Sequence, residues 1–435
     1  MYQRLRAEIF LRSIYMSFEL GKGINLEVIP TKKYKTTRIL IRFSARHSEK
    51  TAAARTLLTS LLETNSLNYP TQNDLSTRLA ELYGASFGVS VAKKGNIHQV
   101  NVGMSIVNGS YVGEENLLNE AVTFLQEILF APNVKEGAFD EKTFATEKEN
   151  LIAYLKSMKE DKQTYASLRV QELFFQNDAD QKVPSFGTVA TAQDLTATEL
   201  VSIYQNMMTE DQIDIFVIGD VQPESVEAIF AKLPFENSER VKPEIFFTQN
   251  HSNIINEHVE YDQVVQAKLN LAYQIDTYYG DPSRFALMVF NGLFGGFPHS
   301  KLFMNVREKE SLAYYASSSF DSFRGMLKVQ TGIDQEKRED VLRLINAQLE
   351  SLRKGEVTTE ELAQTKAMLK NQFLLSLDNP QALMENAYLN LWLPHTKMSE
   401  DQFITGIETV TVESVQKIAL AMELKAIYCL ERSEA

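Results

Sequence analysis

Two stretches of this chain repeat one pattern at a spacing close to half its length. Leu195-Thr-Ala-Thr-Glu-Leu-Val-Ser-Ile-Tyr204 leads into the apolar run Ile213-Asp-Ile-Phe-Val217, and Val410-Thr-Val-Glu-Ser-Val-Gln-Lys-Ile418 leads into Ala426-Ile-Tyr-Cys-Leu430. Thr196 and Thr411 stand 215 positions apart in a chain of 435. A second pair keeps the same order: a long charged helix over 139–165 and a counterpart over 358–388, each followed by a turn and a helix. Agreement of period and order across two separate segments points to an internal duplication rather than chance likeness. The length also exceeds what one ordinary core takes. The expectation is an α+β protein of two homologous halves, 16–235 and 263–435. A linker over 236–262 joins them, polar around Pro243 and without a strong core signal.

Alternation of apolar and polar residues predicts strands over 23–30, 37–43, 86–91, 98–107 and 213–217. Helical spacing predicts helices over 51–63, 72–82, 115–129 and 139–165. The second half repeats this grammar, with strands over 264–273, 316–320, 326–331 and from 426. Its helices are expected over 282–294, 337–353, 358–377 and 411–422. Met1–Tyr15 carries three arginines and no continuous apolar region, so it reads as a loose extension or a misplaced start rather than a signal peptide.

A net charge of −13 argues against a nucleic-acid binder, which would present a basic face. No run of eighteen apolar residues occurs, so no spanning helix and no membrane partner is expected. The single cysteine, Cys429, excludes an intrachain disulfide and fits a reducing, cytoplasmic setting. It lies in an apolar strand-like run, where a buried structural thiol is expected.

The segment with most chemistry is Asn291-Gly-Leu-Phe-Gly-Gly-Phe-Pro-His-Ser-Lys-Leu-Phe-Met-Asn-Val-Arg307-Glu-Lys-Glu-Ser-Leu-Ala-Tyr314. Gly295 and Gly296 let backbone come close to a neighbour or a peptide. No Gly-Lys-Ser/Thr follows, so this is no phosphate loop. An Arg fork with a phenol seven positions on suits a carbonyl or an oxyanion. The plain alternative is that Arg307 pairs with Glu308 or Glu310 and Tyr314 is core; Tyr315 is the substitute phenol if the turn differs.

Together with the duplicated layout and the Ile218-Gly-Asp220 that closes the first-half strand, this segment resembles the pitrilysin/insulinase family of inverted zincins, peptidase family M16, from about Met16 to the end. The resemblance implies two LuxS/metallohydrolase-like halves forming one side of a clamshell. It also implies that Arg307 and Tyr314 bind the peptide backbone. In that family an H-x-x-E-H helix supplies two zinc ligands and a general base, and a Glu on a later helix completes the site. The matching positions here are Arg55, Leu58 and Thr59, and no H-x-x-E-H occurs anywhere. Glu147 and Glu149 remain near the third-ligand position, where they read as solvated helix charges. Of six histidines only His251 and His258, beside Glu257 and Glu260, cluster; a surface loop is the favoured reading over adventitious metal binding. No metal is therefore expected on this chain. The resemblance implies a non-catalytic subunit that binds peptide beside a homologous zinc-bearing partner. The competing reading is a structural or binding protein on the same fold with no part in proteolysis.

Overall fold

The computed structural model describes residues 15–249 and 253–433. The expectations for residues 1–14 and for His251 fall outside them. Strands β1 (Met16–Gly21), β2 (Ile24–Pro30) and β3 (Thr36–Arg46) form where branched and aromatic residues alternate or run together. Helix α1 (Glu49–Thr64) starts at Ser48, whose hydroxyl accepts the Lys50 N–H. It buries Ala52, Ala53, Ala54, Leu57, Leu58, Leu61 and Leu62, and each buried Leu contributes about 1.5–3 kcal/mol. Strands β4 (Ser86–Lys94) and β5 (Ile97–Val107) form a hairpin around Gly95, whose φ of 58° suits a tight turn. Helix α2 (Glu141–Ser157) and strand β6 (Gln212–Gly219) complete the elements that frame the first-half site. These strands make one sheet in the order β1-β2-β6-β3-β5-β4, with β2 and β6 parallel and every other pair antiparallel.

The expected helix over 139–165 is two helices. It stops after Ser157 and restarts as α3 (Lys162–Phe174), because the Asp161 carboxylate accepts the N–H groups of Gln163 and Thr164 and begins a new helix there. Helix α3 belongs with the second sheet. Tyr165 and Tyr428 both donate to Glu260 at 2.9 Å, and Lys162 reaches Asp262 at 2.9 Å. Beneath these polar contacts Ala166, Val170 and Phe174 pack on Ala272, Ala426 and Leu430.

The second sheet contains β7 (Asn256–Asp262), β8 (Ala267–Gln274), β9 (Ala313–Asp321), β10 (Met326–Ile333) and β11 (Glu423–Arg432). Its order, β9-β10-β8-β11-β7, with β7 and β11 parallel and the rest antiparallel, is that of the first sheet from β4 across to β2. Helices α4 (Arg284–Asn291), Arg338–Arg353, α5 (Thr359–Ser376), α6 (Pro380–Trp392), α7 (Glu400–Glu408) and Val412–Ala421 follow in sequence. Leu287, Phe290, Ile345, Leu349, Val415 and Ile418 belong to the core under this sheet. Cys429 is fully buried in it, as expected, and burial holds its thiol up at about 12, protonated and inert.

Contacts divide the chain into two compact units that are not contiguous in sequence. Among the described residues, one holds 15–155, Val183–Glu244 and Pro380–Tyr388; the other holds Lys156–Lys182, Ile245–Asn379 and 389–433. Each unit thus includes a helical segment from the other half of the chain, which boundaries drawn along the sequence at 235 and 263 do not allow for. The linker reading also changes at its end. Asn256–Asp262 is a strand paired with the last strand of the chain, so His258 sits in β7, stacked on Tyr428, rather than in a loop. Pairing supplies the order that polar composition conceals.

Candidate functional site

The first of the positions where the resemblance expects the zinc motif, Arg55, anchors a buried ionic network. Arg55, 5% exposed, lies two turns into α1. Its guanidinium grips Asp211 through both terminal nitrogens, at 2.6 and 3.3 Å, and its Nε donates to His98 Nδ1 at 3.0 Å. Arginine can only donate, so His98 Nδ1 is an acceptor; the ring proton then sits on Nε2 and donates to the Ser185 carbonyl at 2.8 Å. His98 is thereby a neutral imidazole, stacked 5.6 Å from His47. Burial first, and then the Arg55 charge, hold its pKa well below the ordinary histidine value. Burial holds the Asp211 carboxyl above its ordinary value, and the Arg55 charge offsets only part of that rise.

Leu58 is completely buried in the apolar core. Thr59, also buried, donates its hydroxyl to the Thr56 carbonyl of its own helix at 2.7 Å. A cation, an aliphatic side chain and a hydroxyl bonded within its helix do not fit zinc, which needs several neutral or anionic donors converging on one point. No group of three His, Cys, Asp or Glu side chains among the described residues could hold a metal ion. Glu147 accepts from Thr64 at the end of α1 at 3.2 Å, and Glu149 is exposed. His98 and Asp211 escape sequence reading, although an Arg inside an Ala/Leu-rich helix demands a buried acceptor somewhere.

The neutrality of His98 has a consequence for pH. Its folded pKa is depressed while the unfolded value stays near 6.5, so below that value the unfolded chain binds a proton the fold refuses. The first unit should lose stability as pH falls from about 6.5 toward the folded value, at up to ~1.4 kcal/mol per pH unit. Urea titrations of wild type and His98→Gln across that range check this, since the substitution removes the His98 contribution to the slope.

Strand β4 is an outer strand of its sheet, and next to it a cavity of about 380 Å³ is lined by Glu63, Ser86–Ser90 and Gly103. The Val89 N–H donates outward to Glu63 at 3.4 Å, not into the ladder, so its edge carries backbone groups toward the cavity. Burial pushes the Glu63 carboxyl up; Glu147 nearby adds to this, and the Val89 N–H works against it.

In the second unit α4 opens into two wide π-helical segments, Gly292–Gly296 and Leu302–Lys309. Neither Gly295 nor Gly296 has a positive φ; both are needed for closeness. A Cβ on Gly295 would lie 2.6 Å from the Ser318 nitrogen, and one on Gly296 2.7 Å from Asn291 Nδ2. The glycines pack this turn against their own chain, where Ser318 donates to Asn291 Oδ1 at 2.8 Å.

Arg307 is on the second π segment, about 40% exposed, 3.5 Å from Glu308 and stacked 4.5 Å over the Phe303 ring. Tyr314 is a bulge residue: Ala313 pairs with Ile333 and Tyr315 with Gly332, leaving Tyr314 unpaired between them. The bulge turns Tyr314 out, 54% exposed, so it is not core, and its hydroxyl donates to Asp334 at 3.2 Å. That bond raises its pKa and keeps the phenol protonated. Tyr315 instead lies against Gly332, with Lys268 5.2 Å from its ring, and burial raises it to about 12. No hydrogen bond, ion pair or ring contact joins Arg307 to Tyr314 among the described residues.

Two α+β units thus share one strand order, and the first carries a buried ionic network at Arg55. The profile of the Peptidase M16 inactive domain matches residues 194–369. The chain is 33% identical over 416 residues to "Probable inactive metalloprotease YmfF" of Bacillus subtilis (strain 168), covering 95% of this chain and 96% of that protein. A conserved protein from Enterococcus faecalis V583, solved by crystallography, is 56% identical with a TM-score of 0.93, covering 96% and 99% of the two chains. A peptidase M16 inactive domain from Pseudomonas fluorescens shares the fold at 16% identity and a TM-score of 0.77, covering 97% and 99%. The chain belongs to the peptidase M16 family, as an inactive homologue.

Proposed function

We propose that this chain is the non-catalytic subunit of a two-chain zinc peptidase of the bacterial cytosol. A homologous subunit with an intact H-x-x-E-H helix would hold the metal, and this chain would help bind and orient the peptide. The observation that supports the reading is the Arg55–Asp211–His98 network, which lies where the resemblance expects a zinc ligand while the family fold around it is kept. Zinc on the partner would supply the activated water. Here Arg307 offers a half-exposed cation suited to a peptide carbonyl, and the exposed Tyr314 phenol would donate to one by turning its hydrogen away from Asp334. The outer strand β4 offers an edge to which an extended peptide can add as a further strand. No helix of the described residues is long and apolar enough to cross a membrane.

The test is reconstitution with the zinc-bearing homologue and a peptide substrate. Arg307→Ala and Tyr314→Phe should each lower kcat/KM about tenfold or more, a loss of roughly 1.4 kcal/mol of transition-state binding. Tyr314 is exposed and the Arg307 side chain half-exposed, with neither in the core, so the fold should be unchanged. Full turnover with both variants would favour the structural reading, in which the fold serves binding or assembly alone.

A further inference from the structure

Away from these residues, a cavity of about 220 Å³ opens in the second unit between Gly280 at the start of α4 and the turn that precedes α7. Arg284, His395, Lys397 and Gln402 line it, and no carboxylate does. The turn is built to close on this space. Gly280 has φ 103°, and a Cβ there would lie 2.7 Å from Thr396 and 3.4 Å from His395 Nε2.

The donors have few acceptors. Arg284 stacks on the rings of Phe285 and Tyr279, at 4.9 and 5.8 Å. Its only hydrogen bond among the described residues runs from Nη2 to the Met398 thioether, a weak acceptor, at 3.2 Å. Its Nη1 is shielded from solvent and meets no acceptor. Gln402 turns its carbonyl oxygen to the Ser399 N–H at 2.7 Å, which leaves its amide NH₂ as a donor. Lys397 and His395 are exposed at the mouth. A guanidinium without a counter-charge is costly to desolvate, and an anion supplies what it lacks. A carboxylate would be satisfied by the Arg fork alone, whereas donors from four side chains suit an oxyanion with three or more oxygens.

The geometry points to a binding site for a phosphate group in this pocket, as free phosphate or as the phosphoryl end of a small monoester, held by Arg284, Lys397, His395 and Gln402. This site is independent of the peptidase reading and stands or falls apart from it.

The test is calorimetric titration of the full chain with inorganic phosphate, with phenyl phosphate and acetate as competitors. Saturable one-to-one binding of phosphate is expected, weakened about tenfold by Lys397→Gln and by Arg284→Met, the factor set by about 1.4 kcal/mol per charge-assisted contact. Lys397 is exposed, so its variant keeps the test valid should Arg284→Met fail to fold. Competition by phenyl phosphate would identify a monoester ligand, and its absence with phosphate still bound would identify the free ion. No saturable binding, affinity unchanged in Lys397→Gln, or acetate competing as well as phosphate would each overturn the assignment.

Discussion

Arg55→Leu should destabilise the first unit by about 3–5 kcal/mol, the cost of leaving one member of a buried ion pair alone. Asp211 is 5% exposed and loses both guanidinium bonds, while His98 Nδ1 loses its donor. Leu fills the hole but offers no hydrogen. The double variant Arg55→Leu, Asp211→Leu should recover part of the loss, because it removes the stranded Asp211 carboxylate, although buried Arg240 then loses that opposing charge and His98 still lacks its donor. Urea unfolding followed in the first sheet measures both. Equal loss in the single and double variants would mean that packing, not charge, sets the effect. The same network explains why restoring ligands by substitution is not a simple repair: a His at position 55 leaves Asp211 without its fork.

The second large effect arises far along the sequence. Glu385, on α6, accepts from Arg42 Nη1 at 3.0 Å and pairs with Lys94 at 3.0 Å, both on the first sheet. Arg42 is 4% exposed, stacked 4.3 Å over Tyr388 and donating to Asn101 at 2.8 Å. These cations hold the Glu385 carboxyl below its ordinary range in spite of burial, the largest influence on it. Glu385→Ala should cost about 3 kcal/mol, since Arg42 then stays buried with a ring and an amide but no carboxylate. Hydrogen exchange would report the loss in amides of β3 and β5, although position 385 lies in the last quarter of the chain. Faster exchange confined to α6 itself would show that the contact does not support the sheet.

Much of this fold is written in local patterns. The strands over 24–30, 97–107 and 326–333 and the helices over 72–81, 338–353 and 412–421 follow their apolar periodicity closely. The break after Ser157 does not, because no Gly or Pro marks it; an Asp161 cap decides it, and only the packing of α3 on the second sheet makes that cap matter. Asn256–Asp262 reads as linker because its half-exposed pattern is polar, and its order comes from a partner strand about 170 residues away. The candidate site divides in the same way. That no H-x-x-E-H occurs is legible in the sequence, and the resemblance puts Arg55, Leu58 and Thr59 at the motif's positions. What Arg55 binds is not legible, because Asp211 and His98 reach it across 156 and 43 residues. Tyr314 points outward through a one-residue register shift that residue types do not announce.

In the proposed assembly this chain carries no metal and works beside a homologue that does. Native mass spectrometry of the assembly isolated from its source measures both parts at once. The expected result is a complex of this chain with a homologous subunit bearing H-x-x-E-H, holding one zinc, with the zinc leaving on the partner when the subunits are separated. Zinc retained by this chain, or an assembly of this chain with itself alone, would contradict it.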